Sequence, residues 1–356
     1  MPTASAAPSP ALFPPPRPGG ETGDPRAHDW SAVLRWLEEG HGFLLTTHVN
    51  PDADGLGSLA ALAHSLRERG RRVLVVLPSP MPEFCRFLLA ELDAPVHEDP
   101  SRVPAEELAG LDRAVILDVS GRERIGAVAG LLDSGGLPCL VLDHHLSNEA
   151  VDPFQVVFPG LSSTGELLGA LLGAWGAPPT PAVARSLYAA LTSDTGGFAF
   201  ACTTGDTLEL AAALVRAGAQ PARIHDQLNQ NYPAARFDLL ARFLATRRSH
   251  AEGRLAEFEL SLAMLRETGA AREDSEGFVN LGLSIRGCCL SLLFCELEDG
   301  RTKVNFRCVE PYDVCALARE LGGGGHRLAA GATVAAPLAE LRPRVLELAL
   351  AQLRER

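Results

Sequence analysis

Residues 47 to 58 read THVNPDADGLGS and place one imidazole, His48, close to two carboxylates, Asp52 and Asp54. Carboxylates this near repel each other, and a divalent cation removes that cost. Pro51 stiffens the same turn, while Gly55 and Gly57 let it bend. Further donors close two apolar runs: Asp118 ends AVILDVS, and Asp143, His144 and His145 end PCLVLDHH. Asp194 sits in LTSDTGGF after a helical segment. Taken singly, each aspartate is equally well a helix cap or turn former. Together they form four acidic turns with three histidines, which predicts a metal-centred active site. Mostly carboxylates with a minority of imidazoles suit manganese or magnesium and lack the thiolates of structural zinc. The donors exceed what one ion needs. Two ions sharing a carboxylate, roughly 3.5 to 4 Å apart, can activate a water and neutralise a phosphoryl group.

The elements that must position these residues follow from the apolar pattern. Phe43, Leu44 and Leu45 precede the opening stretch, and LAALAHSLRERG with helical spacing follows it, so the donors lie on a strand-to-helix turn. The alternation continues with strand RVLVVLP, helix EFCRFLLAELD, strand RAVILDVS, a helix near IGAVAGLLDSGG, strand PCLVLDHH, the run QVVF and helices over 163–175 and 182–194. Apolar strands separated by helices imply an α/β fold with a parallel, Rossmann-like sheet, and its carboxyl edge is where such sheets bind ligands. A long helical stretch interrupted by Pro233 precedes strand RLAEFELS, a hairpin turning at 298–300, helix DVCALARELG, the run GGGGH, strand AAGATV and a last amphipathic helix. These define a second, smaller α/β domain with a mixed sheet. The expected boundaries are a disordered proline-rich extension over 1–28, a catalytic domain over 29–222, a helical linker over 223–252 and the second domain over 253–356.

A chain of 356 residues is long for one core, and 46% hydrophobic residues can bury two. The net charge of -12 argues against coating long nucleic acid and is compatible with a short substrate held by metal and a few arginines. The eight cysteines form no CxxC pair and several fall in apolar runs, as reduced cytosolic thiols do. The N-terminus shows no basic segment followed by an apolar core, which predicts no signal peptide. The apolar stretch from Leu167 is broken by glycines and prolines, which predicts no membrane span. A cytoplasmic location follows from these readings.

Four glycines at 322–325 ahead of His326 cost backbone entropy. Structure resumes at once in HRLAAGATV, so a ligand-binding role for the amides of Gly323, Gly324 and Gly325 and for His326 is expected over a flexible linker.

HVNPDADGLGS, AVILDVS, VLDHH, SDTGG and GGGGH, in this order, resemble the motifs of the DHH phosphoesterase superfamily. The terminal GGGGH domain is similar to the DHH-associated domain of the subgroup with RecJ nucleases and NrnA-type nanoRNase/pAp phosphatases. The compact length favours the latter, and that domain argues against family II pyrophosphatases. The resemblance covers about residues 30 to 340. It implies two manganese ions, with magnesium or cobalt as substitutes. One would be held by His48, Asp52 and Asp118, the other by Asp54, Asp118, His144 and Asp194. It further implies that His145 faces the phosphate, that Asp143 orients the neighbouring histidines, and that Arg307 in TKVNFR binds substrate. Asn305 and Phe306 depart from the family's usual serine and aliphatic residue there.

The expectation is a manganese-dependent phosphoesterase that trims very short RNA to mononucleotides and dephosphorylates 3′-phosphoadenosine 5′-phosphate (pAp). A homodimer is compatible with this reading. The rivals are hydrolysis of cyclic di-AMP or a linear dinucleotide, RecJ-like exonuclease action on single-stranded DNA, and an inactive nucleotide-binding regulator. The last would be expected to have lost a metal ligand, and all the positions are kept.

Overall fold

The computed structural model describes residues 23–145, 151–176 and 179–354, with the His326 side chain also outside the described part. The chain divides into two compact units, Met1–Asn231 and Tyr232–Arg356. In the first, α1 (Ser31–Glu39) leads to β1 (Gly42–Thr46), α2 (Ala53–Glu68), β2 (Arg72–Val76), β3 (Val96–His97) and a short α3 (Ala105–Leu108). Then follow β4 (Arg113–Leu117), α4 (Val128–Gly135), β5 (Cys139–Asp143), β6 (Gln155–Val157), α5 (Thr164–Ala174), α6 (Pro181–Asp194), α7 (Gly205–Arg216) and α8 (Pro221–Asn229).

The strands run parallel in the order β3-β2-β1-β4-β5-β6. Side chains alternate across a strand, and both faces here are buried. Leu45, Val75, Val115 and Leu140 share one core with Leu59 of α2, Leu168 of α5 and Leu187 of α6. Leu44, Leu74, Ile116 and Val141 share the other with Val128 and Leu132 of α4. Connections leave β1 toward β2 on one side and return at β4 on the other. The loops after β1 and β4 therefore part at the topological switch point, where doubly wound sheets open a crevice. Gly57 allows α2 its depth, because a Cβ there would stand 2.5 Å from the Ser186 carbonyl of α6.

Two local expectations change. The segment read as helix EFCRFLLAELD is a 3₁₀ turn, Glu83–Leu88, begun at Pro82. Three residues per turn set Cys85 and Leu88 on the same buried side, a pattern a short run shares with an α-helix. Residues 1–22 of the expected extension lie outside the described residues, but residues 23–28 are folded. Asp24 caps a 3₁₀ turn at Pro25–Ala27, and the half-buried Arg26 pairs with Asp24 at 2.8 Å and with Asp206 of α7 at 3.0 Å. The Trp30 indole donates to the Pro25 carbonyl at 2.9 Å.

The second unit comprises α9 (Ala234–Ala245), β7 (Arg248–His250), β8 (Leu255–Leu260), α10 (Leu262–Thr268), β9 (Leu290–Glu296), β10 (Thr302–Cys308), α11 (Val314–Glu320), β11 (Gly324–His326), β12 (Ala329–Val334) and α12 (Leu338–Arg354). Its sheet runs β11-β12-β10-β9-β8-β7, with β8 and β9 parallel and the other pairs antiparallel. Leu292, Phe294, Val304 and Phe306 pack with α11 and α12, while Phe258 and Leu293 pack with Phe243 of α9. The stretch read as a linker is thus shared: α8 belongs to the first unit, and α9 and β7 to the second. Pro233, the N-cap of α9, makes the break. Among the described residues no helix is long and apolar enough to cross a membrane.

Candidate metal centre

Asp52 has extended backbone and caps α2, its Oδ1 accepting the amides of Asp54 and Gly55, both at 3.0 Å. The cap leaves Asp52 Oδ1 facing the other donors, so the capping reading does not compete with the ligand reading. His48 lies 2.9 Å from the Val49 carbonyl through Nδ1. A carbonyl can only accept, so Nδ1 carries a proton and the neutral ring keeps its lone pair on Nε2. That nitrogen faces Asp118 Oδ2 at 3.5 Å and Asp52 Oδ1 at 3.8 Å.

Asp118 follows β4 with φ of 60°, a left-handed conformation that aspartate tolerates better than most residues. Its amide donates to the Leu142 carbonyl of β5 at 2.9 Å, and its Oδ1 faces His144 Nε2 and His145 Nδ1, each at 3.7 Å. His144 repeats the arrangement of His48: Nδ1 is 3.2 Å from the Leu161 carbonyl, and Nε2 faces Asp194 Oδ2 at 3.2 Å and Asp54 Oδ2 at 3.7 Å. Asp194 is the last residue of α6. Asp143, fully buried at the end of β5, accepts from His145 Nδ1 at 2.7 Å.

Donor atoms of His48, Asp52 and Asp118 lie within 4.8 Å of one another, and so do those of Asp54, His144 and Asp194. A third such group, Asp118, His144 and His145, overlaps both. The electrostatics of these buried groups point the same way. Burial, together with Asp118 and Asp194, holds the Asp54 carboxyl well above its ordinary range. Burial also pushes Asp194 up to about 6 despite its bond to His144. Burial opposes charge on His48, yet Asp118 and Asp52 outweigh it and keep that imidazole protonated well above the usual range. His144 is likewise pushed up to about 11, with Asp194, Asp54 and Asp118 overcoming burial. Asp54 and Asp194 thus retain protons, while Asp52 and Asp118, despite burial, are held below the ordinary carboxylate range by the neighbouring imidazoles, His48 foremost, so the crowded cluster draws positive charge either way. Divalent cations meet the same demand, and the oxygen-rich set with lone pairs on two Nε2 atoms fits them.

The α5 start also reaches this centre, which the sequence reading did not assign. Thr164 donates its amide to Asp54 Oδ2 at 2.8 Å and its hydroxyl to Asp118 Oδ1 at 2.9 Å, and the Gly165 amide reaches Asp54 Oδ1 at 2.9 Å. The local signal was SSTGE, an S-x-x-E start before an apolar run.

The remaining expected site residues lie in the second unit. Arg307 on β10 is half-buried, donates to the Phe306 carbonyl at 2.9 Å, and burial lowers the pKa of its guanidinium. The glycine run differs from its expected form. Its latter part is strand β11, paired with β12. The Gly323 amide donates to the Ala318 carbonyl at 2.8 Å, so that donor is not turned to a ligand. A Cβ on Gly323 would collide with the Gly331 carbonyl, and one on Gly325 would stand 2.6 Å from the Ala329 carbonyl. Close strand packing requires glycine at both places, whereas a Cβ at Gly324 would meet open space. The His326 side chain lies outside the described part.

The chain belongs to the DHH family and is a phosphoric ester hydrolase: the family's N-terminal domain matches residues 43–191 and a DHHA1 domain matches residues 259–355. It is 33% identical over 292 residues to the bifunctional oligoribonuclease and PAP phosphatase NrnA of Thermus thermophilus, covering 82% of this chain and 83% of that one. The protein of the same name from Bacillus subtilis is 27% identical over 308 residues, covering 85% and 92%. Among solved structures, an exopolyphosphatase-related protein from Bacteroides fragilis superposes with a TM-score of 0.82 at 25% identity, covering 90% of this chain and 95% of that one. RecJ of Thermus thermophilus, solved with Mn2+, shares the fold at a TM-score of 0.50 and 17% identity, covering 95% of this chain and 55% of that one.

Proposed function

We propose that this hydrolase degrades very short oligoribonucleotides to mononucleotides and removes a terminal phosphate from pAp, using two manganese ions. The observation that carries the reading is the position of Asp118. One of its carboxylate oxygens faces His48 and the other faces His144, so a single side chain can serve two cation positions. His48, Asp52 and Asp118 would hold one ion, and Asp54, Asp118, His144 and Asp194 the other. When bound, the pair would supply Lewis-acid charge for the phosphoryl group and lower the pKa of water.

The chain's own groups do the rest. The Val49 and Leu161 carbonyls hold the two ligating imidazoles in the tautomer that presents Nε2. His145, anchored to Asp143 through Nδ1, keeps Nε2 for the substrate; as the doubly protonated imidazolium it would give its Nε2 proton to the departing oxygen and be left as the neutral ring. Arg307 would contact a substrate phosphate with its planar fork, together with Gly324 and His326. The names and coverage of the relatives support the choice of substrate.

The test is a comparison of rates on short RNA, pAp, a cyclic dinucleotide and long single-stranded DNA with added manganese. Turnover is expected on the first two. Preference for the cyclic dinucleotide, or for the long strand, would replace this assignment by a dinucleotide phosphodiesterase or an exonuclease. Tight nucleotide binding without turnover on any of the four would point to a regulator.

A further inference from the structure

We propose that the turn at 162–166 opening α5 is a positioning element of the metal centre, in which the Thr164 hydroxyl fixes the orientation of the Asp118 carboxylate toward its cations. The inference rests on the metal-dependent reading above.

Thr164 is fully buried and contacts carboxylates from both sides of the crevice. Its amide and that of Gly165 take the two oxygens of Asp54, which comes from the turn after β1. Its hydroxyl takes Oδ1 of Asp118, which comes from the end of β4. A carboxylate has about four lone-pair sites, so one donor on Oδ1 leaves room for a cation there and leaves Oδ2 turned to His48. Tilting the carboxylate plane out of this pose would break the bond to Thr164.

The turn is itself held from behind. Buried Glu166 accepts through Oε2 from the Ser162 amide at 3.0 Å, from the Ser162 hydroxyl, and from Thr207 of α7 at 3.2 Å. Ser163 accepts the Glu166 amide at 3.1 Å. A Cβ on Gly165 would stand 2.5 Å from Ala190 of α6, so glycine lets the turn seat against that helix. Helices α6 and α7 thus back the turn of α5 whose hydroxyl touches Asp118.

Calorimetric titration of the full-length, metal-free protein with Mn2+, with bound ions counted by electron paramagnetic resonance, tests the assignment. Thr164→Val keeps the shape and removes the donor; Thr164→Ser keeps the donor. Binding about 10–100-fold weaker is expected for the valine variant, with near-native binding for the serine variant. The metal-free melting temperature of both should stay near wild type. Turnover of the valine variant should recover at high Mn2+ with an unchanged KM. If the valine protein does not fold, Thr164→Ala removes the same donor and is read in the same way. Wild-type affinity without the hydroxyl, or a serine variant as weak as the valine one, overturns the proposal and leaves the phosphoesterase reading standing. Absence of Mn2+ binding by the wild type would instead remove the metal reading itself.

Discussion

His48 and His144 come from different loops and solve the same problem in the same way: each places Nδ1 against a backbone carbonyl, so that Nε2 points into the carboxylates. Protons and cations then compete for those nitrogens. Asp194, pushed up to about 6, and His144, pushed up to about 11, must both be deprotonated to act as donors. Binding therefore releases protons from the raised His144, His48 and Asp54 groups, and an additional one from Asp194 below about 6. Mn2+ affinity should fall as pH drops, most steeply below about 6, and titration in two buffers of different protonation enthalpy reads the released protons directly. An affinity flat across that value would contradict the competition. Asp118 gives a second test. Alanine there would combine ligand loss with strain at a φ of 60°, whereas asparagine tolerates that backbone and removes only the charge. Asp118→Asn is expected to fold normally and to lose nearly all turnover, as measured by steady-state rates beside a circular dichroism spectrum. The donors themselves could be read from the sequence because their types and turns are local. The left-handed backbone of Asp118 could not, since nothing beside it in sequence demands one.

The turn between β1 and α2 does two jobs at once, starting a helix and presenting donors, and its glycines carry the geometric cost. A Cβ on Gly55 would collide with the Thr47 hydroxyl and stand 3.4 Å from Asp118 Oδ2. Gly55→Ala is expected to lose about 1–3 kcal/mol of stability, seen as a lower urea midpoint at an unchanged slope. A midpoint equal to wild type would show that the turn can relax. Strand, turn and helix are consecutive here, so the arrangement was legible as a pattern. The part played by α5 was not, because Thr164 meets Asp54 at a sequence separation of 110. The glycine run illustrates a different limit. Its composition signals close backbone approach, but the residues approached prove to be those of β12 at two of its positions, and no local pattern distinguishes a neighbouring strand from a ligand.

At the scale of the molecule, alternating apolar strands and helices were enough for a parallel α/β sheet, but not for its strand order. The order β3-β2-β1-β4-β5-β6 is what makes β1 and β4 neighbours and brings their loops to one crevice. The division between the units also fell elsewhere than expected, because helical periodicity alone cannot show which core a helix serves. The clasp formed by residues 24–30 has a consequence for how the enzyme can be shortened. Asp206, which holds Arg26, is adjacent on α7 to Thr207, which steadies Glu166 behind the candidate metal centre. A chain beginning at residue 29 is expected to melt earlier and to capture manganese less tightly than one beginning at residue 23, in parallel melting and titration runs. Trimming for crystallisation or assay should accordingly stop short of Asp24, since a cut that looks remote from the chemistry would loosen the helix on which it leans.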